Sequence, residues 1–416
     1  MQSNQSQKNT SKNWQLRKLD SMFTVRRGGS PRPIESYITN RDDGLNWLKI
    51  GDIDVGAKYI TGTSSKILKE GLSRTTLVKK GDFILSNSMS FGRPYIMNID
   101  ACIHDGWLTF QDIKTDILDR DFLYYLLSQS KTQSIFASIS AGSGVLNLKK
   151  ETVAEVELSI PPLSEQYRIV SILETWDKSI GSLSEKINLK EQIKRSLMQD
   201  LLTGKKRLGG FSDKWESTKL GKIASFKKGK GLSKSELDSG GKYEAIHYGE
   251  LFTKYNEYIE NIISRTNSNK NMFLSKKNDI LMPTSDVTPR GLSTASYIDK
   301  DGVILGGDIL VIRSTGNLHG LFFCYLVNLN KKEVIKLVSG STVFHLYGSD
   351  MAKFELKLPS LKEQESIVKI LVTADKEITE LEKKLSILKE QKRYLLNNLI
   401  TGTIRTPETL STKITK

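Results

Sequence analysis

The chain has 416 residues, is 38% hydrophobic and 26% charged, and carries a formal net charge of +15. That length suits two to three domains of roughly 150 residues each. No apolar run reaches the ~20 residues of a membrane span, and two cysteines make neither a disulfide framework nor a zinc site, so a cytoplasmic protein without a membrane segment is expected.

Residues 1–13, "MQSNQSQKNTSKN", are polar, lack the apolar core of a signal peptide and read as a flexible leader. Residues 14–160 form a first globular segment. Short apolar runs broken by Gly, Asn and Asp predict strands at "NWLKIGDIDV", "DFILS" and "AEVELSI", and "DFLYYLLSQS" predicts a helix. Residues 161–204 predict one long helix: Pro161 and Pro162 precede it, Glu165 sits in its first turn, and Gly204 follows its end. Val170, Leu173, Trp176, Ile180, Leu183 and Ile187 recur at steps of three or four, the seam of a coiled coil.

A second globular segment, residues 205–358, follows the same plan. "DILMP", "GVILGGDILVIRS" and "AKFELKL" predict strands, and "LFFCYLVNLNKKEVIKLV" reads as helix. Residues 359–405 predict a second long helix, with a seam at Leu371, Ala374, Ile378, Leu381, Leu385 and Leu388 and a terminating Gly402. Residues 406–416 are a tail. Each helix of about 40 residues would span roughly 60 Å. Positive charge gathers outside the helices. Residues 205–358 carry 24 Lys/Arg against 16 Asp/Glu and residues 1–160 carry 21 against 17, whereas residues 161–204 balance six against six. A polyanion partner fits that distribution, and on charge alone so does a merely basic protein.

The chain repeats itself. "IPPLSEQYRIVSILETWDKSI" from Ile160 returns as "LPSLKEQESIVKILVTADKEI" from Leu358, at a constant offset of 198. Glu165 and Gln166 fall on Glu363 and Gln364, and Asp177 on Asp375. "ISAGSGVLNL" matches "LVSGSTVFHL", which sets Ser143 on Ser341 and Leu148 on Leu346. "NWQLRKLDSMFTVRRG" matches "KWESTKLGKIASFKKG", which sets Trp14 on Trp215 and Arg26-Arg27-Gly28 on Lys227-Lys228-Gly229. The stretches between these anchors match poorly. One scaffold written twice, with diverging middles, presents two different surfaces. The matched length and register of the helices predict that they pair antiparallel. The expected fold class is α+β: two mixed α/β domains separated by two long helices packed as an antiparallel coiled coil, with an internal pseudo-two-fold repeat.

The order of variable domain, Pro-Leu-x-Glu-Gln-type helix ending in Leu-x-Gly or its like, variable domain and helix again resembles the specificity subunit of type I restriction-modification enzymes. "PPLSEQYRIVSIL…LLTGKKRL" and "PSLKEQESIVKIL…LITGTIR" carry the likeness, from Trp14 to about Arg405. The second copy has Ser360 where the first has Pro162. The resemblance implies that residues 14–160 and 205–358 are target-recognition domains, each reading one half of a split target in double-stranded DNA. It implies that the helices fix the gap and dock two adenine-methylating modification subunits, with restriction subunits joining through the complex. S-adenosylmethionine, ATP and magnesium would belong to those partners, and this chain would bind no cofactor of its own.

DNA reading needs side chains that reach base edges, with cations and amides on phosphates. Loops in corresponding places of the two halves supply candidates. One pair is Arg26, Arg27 and Arg32 in "RRGGSPRP" with Lys227, Lys228 and Lys230 in "KKGKGLSK". A second is Asn87, Ser88 and Arg93 in "SNSMSFGRP" with Thr284, Ser285, Asp286 and Arg290 in "PTSDVTPRG", and a third is Ser143 with Ser341. For any single loop a solvated surface charge is the safer reading; recurrence at equivalent places raises the loops as groups, not each residue. For helix pairing and partner docking the candidates are Glu165, Gln166, Ile180, Leu183 and Ile187, with Glu363, Gln364, Ile378, Leu381 and Leu385.

Chemistry by the chain itself finds little support. An amino-methyltransferase should show Asn/Asp-Pro-Pro-aromatic, but Pro161-Pro162 stands between Ile160 and a leucine. The sequence has no G-x-x-x-x-G-K-[ST] phosphate loop. His104, His247, His319 and His345 are isolated and make no metal-binding spacing. The expectation is a non-catalytic, metal-free specificity subunit; the alternative is a free-standing duplicated DNA-binding regulator.

Overall fold

The computed structural model describes residues 13–53, 56–87, 92–140 and 147–410. It divides into two compact units, Met1–Leu183 with Lys384–Lys416, and Ser184–Lys383. Among the described residues no helix is long and apolar enough to cross a membrane.

Unit 1 opens and closes on one antiparallel strand pair, Gln15–Lys18 with Glu157–Ile160. Its main sheet runs in the order Thr24–Arg27, Trp107–Gln111, Phe83–Ser86, Pro94–Met97, Tyr59–Ile60, antiparallel throughout except for a parallel last pair. A second sheet orders Ile38–Thr39, Ser65–Ile67, Leu45–Leu48, Ala101–Ile103 and Thr76–Val78. Residues 107–110, 83–86 and 94–97 are buried without alternation, as expected of strands covered on both faces. One face packs Phe83, Phe110 and Leu108 on the helix Arg120–Ser128 and on Leu173 and Leu399 of the long helices. The other packs Trp107, Tyr95 and Ile84 toward the second sheet.

Unit 2 repeats that topology with different residues. Its closing pair is Glu216–Lys219 with Glu355–Leu358. Its main sheet orders Ala224–Lys228, Ile309–Ser314, Asp279–Pro283, Ser296–Ile298 and Tyr258–Ile259, again with only the last pair parallel. Its second sheet, Ser264–Thr266, Tyr243–Ile246, Ile304–Leu305 and Phe273–Leu274, lacks the first strand of its counterpart. The middles that match poorly in sequence therefore share one strand order. The apolar run "GVILGGDILVIRS" is two strands in two sheets, because Gly306 and Gly307 turn the corner between Ile304–Leu305 and Ile309–Ser314. "NWLKIGDIDV" is shorter as a strand than its sequence suggests: it holds Leu45–Leu48 and then a 3-10 turn at Ile50–Asp52.

The long helices span Leu163–Leu201 and Leu361–Ile400, and each gives half its length to each unit. Their starts are equivalent despite the Pro162/Ser360 difference. The carbonyl of Pro162 accepts from the backbone of Glu165 (2.9 Å) and Gln166 (3.1 Å), and that of Ser360 from Glu363 and Gln364 (3.0 Å each). Both helices end on a left-handed glycine, Gly204 (φ +71°) and Gly402 (φ +73°), a conformation that disfavours any side chain.

Pairing is antiparallel. In unit 1 Asp177 binds Lys392; in unit 2 Asp375 binds Lys194, so one helix advances 17 residues as the other retreats 17. Each aspartate also accepts the phenol of a tyrosine from its own globular part, Tyr125 at 2.6 Å and Tyr325 at 2.5 Å. Burial first, and then the neighbouring carboxylate, push both phenols well above their ordinary range, so they stay protonated donors. The lysines lie 5.5 Å from the centres of the same tyrosine rings. The seam is buried at Ile187 and Ile378 but only half-buried at Ile180, Leu183, Leu381 and Leu385. A two-helix seam covers its knobs on one side alone.

Candidate nucleic-acid interface

Each unit carries a cleft at the same place in its topology, built by three backbone links. In unit 1 the Gly28 amide donates to the Trp107 carbonyl (2.9 Å), the Asn87 amide to Gly106 (3.0 Å) and the Leu148 amide to Asn87 (3.0 Å). In unit 2 Gly229 donates to Ile309 (2.8 Å), Thr284 to Asp308 (2.9 Å) and Leu346 to Thr284 (3.1 Å). The glycine in "RRG" and "KKG" is required by the crossing. A Cβ on Gly28 would lie 2.1 Å from the His104 carbonyl oxygen, and one on Gly229 2.0 Å from that of Gly306. This close approach delivers the preceding Arg27 or Lys228 to the mouth of the cleft.

The unit 1 cleft, about 490 Å³, is lined by Arg27, Asn87, Asn147, Lys149 and Lys150. The Arg27 Nε and the Asn87 amide both donate to the Asp105 carbonyl, each at 3.0 Å. Burial works against the Asp105 carboxylate, but the Ser30 hydroxyl at 2.8 Å and nearby cations hold it below its usual range. The unit 2 cleft, about 540 Å³, is lined by Lys227, Lys228, Thr284, Ser285, His345 and Tyr347. There Lys228 pairs with the Asp308 carboxylate at 3.0 Å, Thr284 donates to it at 3.3 Å, and the Ser285 hydroxyl lies 3.1 Å from His345 Nδ1.

The structure thus brings together Arg27 with Asn87, and Lys227 and Lys228 with Thr284 and Ser285. Arg26, Arg32, Arg93, Lys230, Arg290 and Ser341 are exposed on nearby strands and turns but line neither cleft. Asp286 spends its carboxylate inside its own turn, on the Val287 amide (2.7 Å) and the Thr288 hydroxyl (2.8 Å). Ser88 and Ser143 lie outside the described residues.

The Glu-Gln pairs at the helix starts are used within each unit. Gln166 accepts from the Asp119 amide and donates to the Ile117 and Pro161 carbonyls, all at 2.8 Å. Gln364 accepts from His319 (2.9 Å) and donates to Asn317 and Pro359 (3.0 Å each). Glu165 takes both guanidinium nitrogens of Arg405 at 2.6 and 2.7 Å, and Glu363 those of Arg207 at 2.6 and 2.8 Å. Trp14 and Trp215 lie beneath these arginines, at 5.8 and 5.7 Å. All four Glu and Gln side chains are buried, so they position each globular part on the helices and offer no surface to a partner.

The family of proteins carrying the type I restriction modification DNA specificity domain matches this chain twice, over residues 11–195 and again over 212–390. The chain belongs to that family. The type I restriction enzyme MjaVIII specificity subunit of Methanocaldococcus jannaschii is 24% identical over 311 residues, 70% of this chain and 72% of the relative. The putative MjaX specificity subunit of the same organism is 23% identical over 421 residues, 94% of each chain. In fold, the type I restriction-modification S subunit from M. genitalium matches with a TM-score of 0.58 at 18% identity, covering 94% of this chain and 97% of that one. A chain from a type I R-M system solved for its complex assembly and conformational transition matches at 0.60 and 17%, covering 94% and 99%.

Within this specificity-domain chain, the cleft adds residues that loop chemistry passed over: Asn147, Lys149, His345 and Tyr347. Their signal is the leucine shared by "VLNLKK" and "VFHLYG", which anchors both segments while its neighbours differ. Among the described residues no group of three or more His, Cys, Asp or Glu is placed to hold a metal ion.

Proposed function

We propose that this specificity subunit directs a type I modification enzyme to a bipartite target in double-stranded DNA, each globular module reading one half. The modules are residues 14–160 and 205–358; the helices 161–204 and 359–405 set the spacer and dock two adenine-N6-methylating subunits. The chain itself is non-catalytic and works in the cytoplasm. S-adenosylmethionine enters with the modification subunits, and ATP and magnesium with the restriction subunits that join through the complex. The supporting observation is one topology used twice, on antiparallel helices, with the same cleft lined by different chemistry. Expression with its modification subunit, followed by methylome sequencing, tests the reading. A split motif with methylated adenine in each half is expected; sequence-specific binding by the chain alone, with no methylation, would favour a free-standing regulator.

Positive charge at and beside the unit 2 cleft should act through phosphates. Lys227, Lys228 and Lys230 are exposed, and replacing all three by Ala should weaken duplex binding and lower the slope of log K against log salt by about one unit per lost phosphate contact. An unchanged slope would mean that they face only solvent.

The helices should set the spacing. Four residues inserted between Ile180 and Ile187 add roughly 6 Å of helix and a stutter that a coiled coil absorbs. The bases read in each half should stay the same, while the gap between them grows by one or two base pairs, at ~3.4 Å per step. Methylome sequencing of the insertion variant reads the gap directly; an active variant with the original gap would assign spacing to something else.

A further inference from the structure

The two clefts share their framework and differ in what they present. The residues that hold each unit together are of the same type in both: Glu165 and Glu363, Gln166 and Gln364, Tyr125 and Tyr325, Asp177 and Asp375, Arg405 and Arg207. The cleft positions are not. Beside buried Leu148 stand Asn147 and Lys149; beside buried Leu346 stand His345 and Tyr347. A position kept for stability has no reason to change chemistry on an unchanged framework, whereas a position that discriminates between targets must.

Geometry supplies the second argument. Lys149 (φ −75°, ψ 138°) and Tyr347 (φ −101°, ψ 152°) are extended. In extended backbone, neighbours once removed point to one side. Leu148 and Leu346 each belong to the core of their unit, and the residues on both flanks line the cleft. In unit 2 the His345 and Tyr347 rings are stacked with centres 6.0 Å apart and planes 23° apart. Ser285 fixes the imidazole at 3.1 Å, while Tyr347 is 53% exposed.

The chemistry suits base edges. An amide pairs with adenine N6 and N7 and an amine with guanine O6 and N7, while ring faces and polar ring atoms meet thymine methyls and purine acceptors. At each mouth a cation tied to the same turn, Arg27 or Lys228, is placed for a backbone phosphate. Resting on the bipartite reading above, we propose that the flank positions 147 and 149 in unit 1, and 345 and 347 in unit 2, are the base-discriminating residues of the two modules.

Methylome sequencing with the modification subunit present separates the outcomes. His345→Ala with Tyr347→Ala should relax one or two base positions in one half of the motif, with discrimination there falling roughly 5- to 150-fold, and leave the other half and the gap intact. Asn147→Ala with Lys149→Ala should do the same to the opposite half. His345→Asn with Tyr347→Lys places in unit 2 a pair that this fold already carries in unit 1, and should install new base preferences. Where a variant complex no longer methylates, its affinity for the cognate duplex and a scrambled one decides: equal affinities support the assignment, and a retained wild-type preference overturns it. Active variants that keep the wild-type motif in both halves would overturn it while leaving the bipartite reading standing. A wild-type chain that directs methylation to no split motif would remove both.

Discussion

A chain in which residues 215–358 also replace residues 14–160 should, under the bipartite reading proposed above, direct its modification subunits to a target that carries one half-sequence twice. The splice points are favourable because each module enters and leaves its unit through two adjacent strands. Gln15 pairs with Ile160 in one unit and Glu216 with Leu358 in the other. The transplanted module also brings the groups that the helix expects. Trp215 replaces Trp14 beneath the arginine, Tyr325 replaces Tyr125 on the aspartate, and the segment before Gly320 replaces that before Arg120 on the glutamine. Each mismatched base pair costs about 1–3 kcal/mol, so three or more altered positions would reduce methylation of the original target by over a hundredfold. Methylome sequencing shows the new motif without prior assumption. A module placed in the first position that still directed the first half-sequence would refute modular reading.

What could be read from the sequence follows from what repeats. Long helices announce themselves through periodic leucines, and the 198-residue offset exposes their kinship because Glu165 and Gln166 perform the same buried task as Glu363 and Gln364, and half-buried Asp177 the same pairing as Asp375. The role of those residues was less legible. A Glu-Gln pair in the first turn of an exposed-looking helix suggests partner docking; only the fold shows its bonds to a loop 45 to 49 residues away in sequence. The shared strand order of the middles was hidden for the opposite reason. A strand covered on both faces accepts any apolar residue, so Phe83-Ile84-Leu85 and Ile280-Leu281-Met282 serve one position with no identity between them. Of the cleft, Arg27, Lys227 and Lys228 stood out by charge and the glycine after each basic pair by its repetition. Asn147, Lys149, His345 and Tyr347 did not, since nothing in spacing shows that a residue beside a buried leucine faces a cleft. His345 in particular reads as an isolated histidine until Ser285 and Tyr347 are seen beside it.

Gln364→Glu should cost more stability than its near-identical shape suggests. The native amide makes three buried bonds, accepting from the His319 amide and donating to the Asn317 and Pro359 carbonyls. An ionised carboxylate keeps the first and opposes both others, leaving two carbonyls without a donor and a charge without a cation in a fully buried place. Each unsatisfied group costs about 1–3 kcal/mol, so a loss of at least ~3 kcal/mol is expected, against a smaller one for an isosteric swap on the surface. The helix Gly320–Leu329 follows His319, and its amides should exchange with solvent roughly a hundredfold faster. Gln166→Glu should do the same to the helix Arg120–Ser128 in unit 1, since the Ile117 carbonyl, two residues before the N-cap Asp119, loses its donor along with that of Pro161. The pH dependence fixes the cause. Burial raises the folded-state pKa of the introduced carboxyl above its unfolded value of ~4.3. A raised pKa contributes stability that is complete below the unfolded value and is lost as pH rises through the folded one. The penalty should therefore shrink toward acid pH, where the protonated group regains one donor, and be full near neutrality. Hydrogen exchange of both variants at acid and neutral pH measures it. An equal penalty at both values would trace the loss to packing alone, and no penalty at all would remove the glutamines from the work of seating each module on its helix.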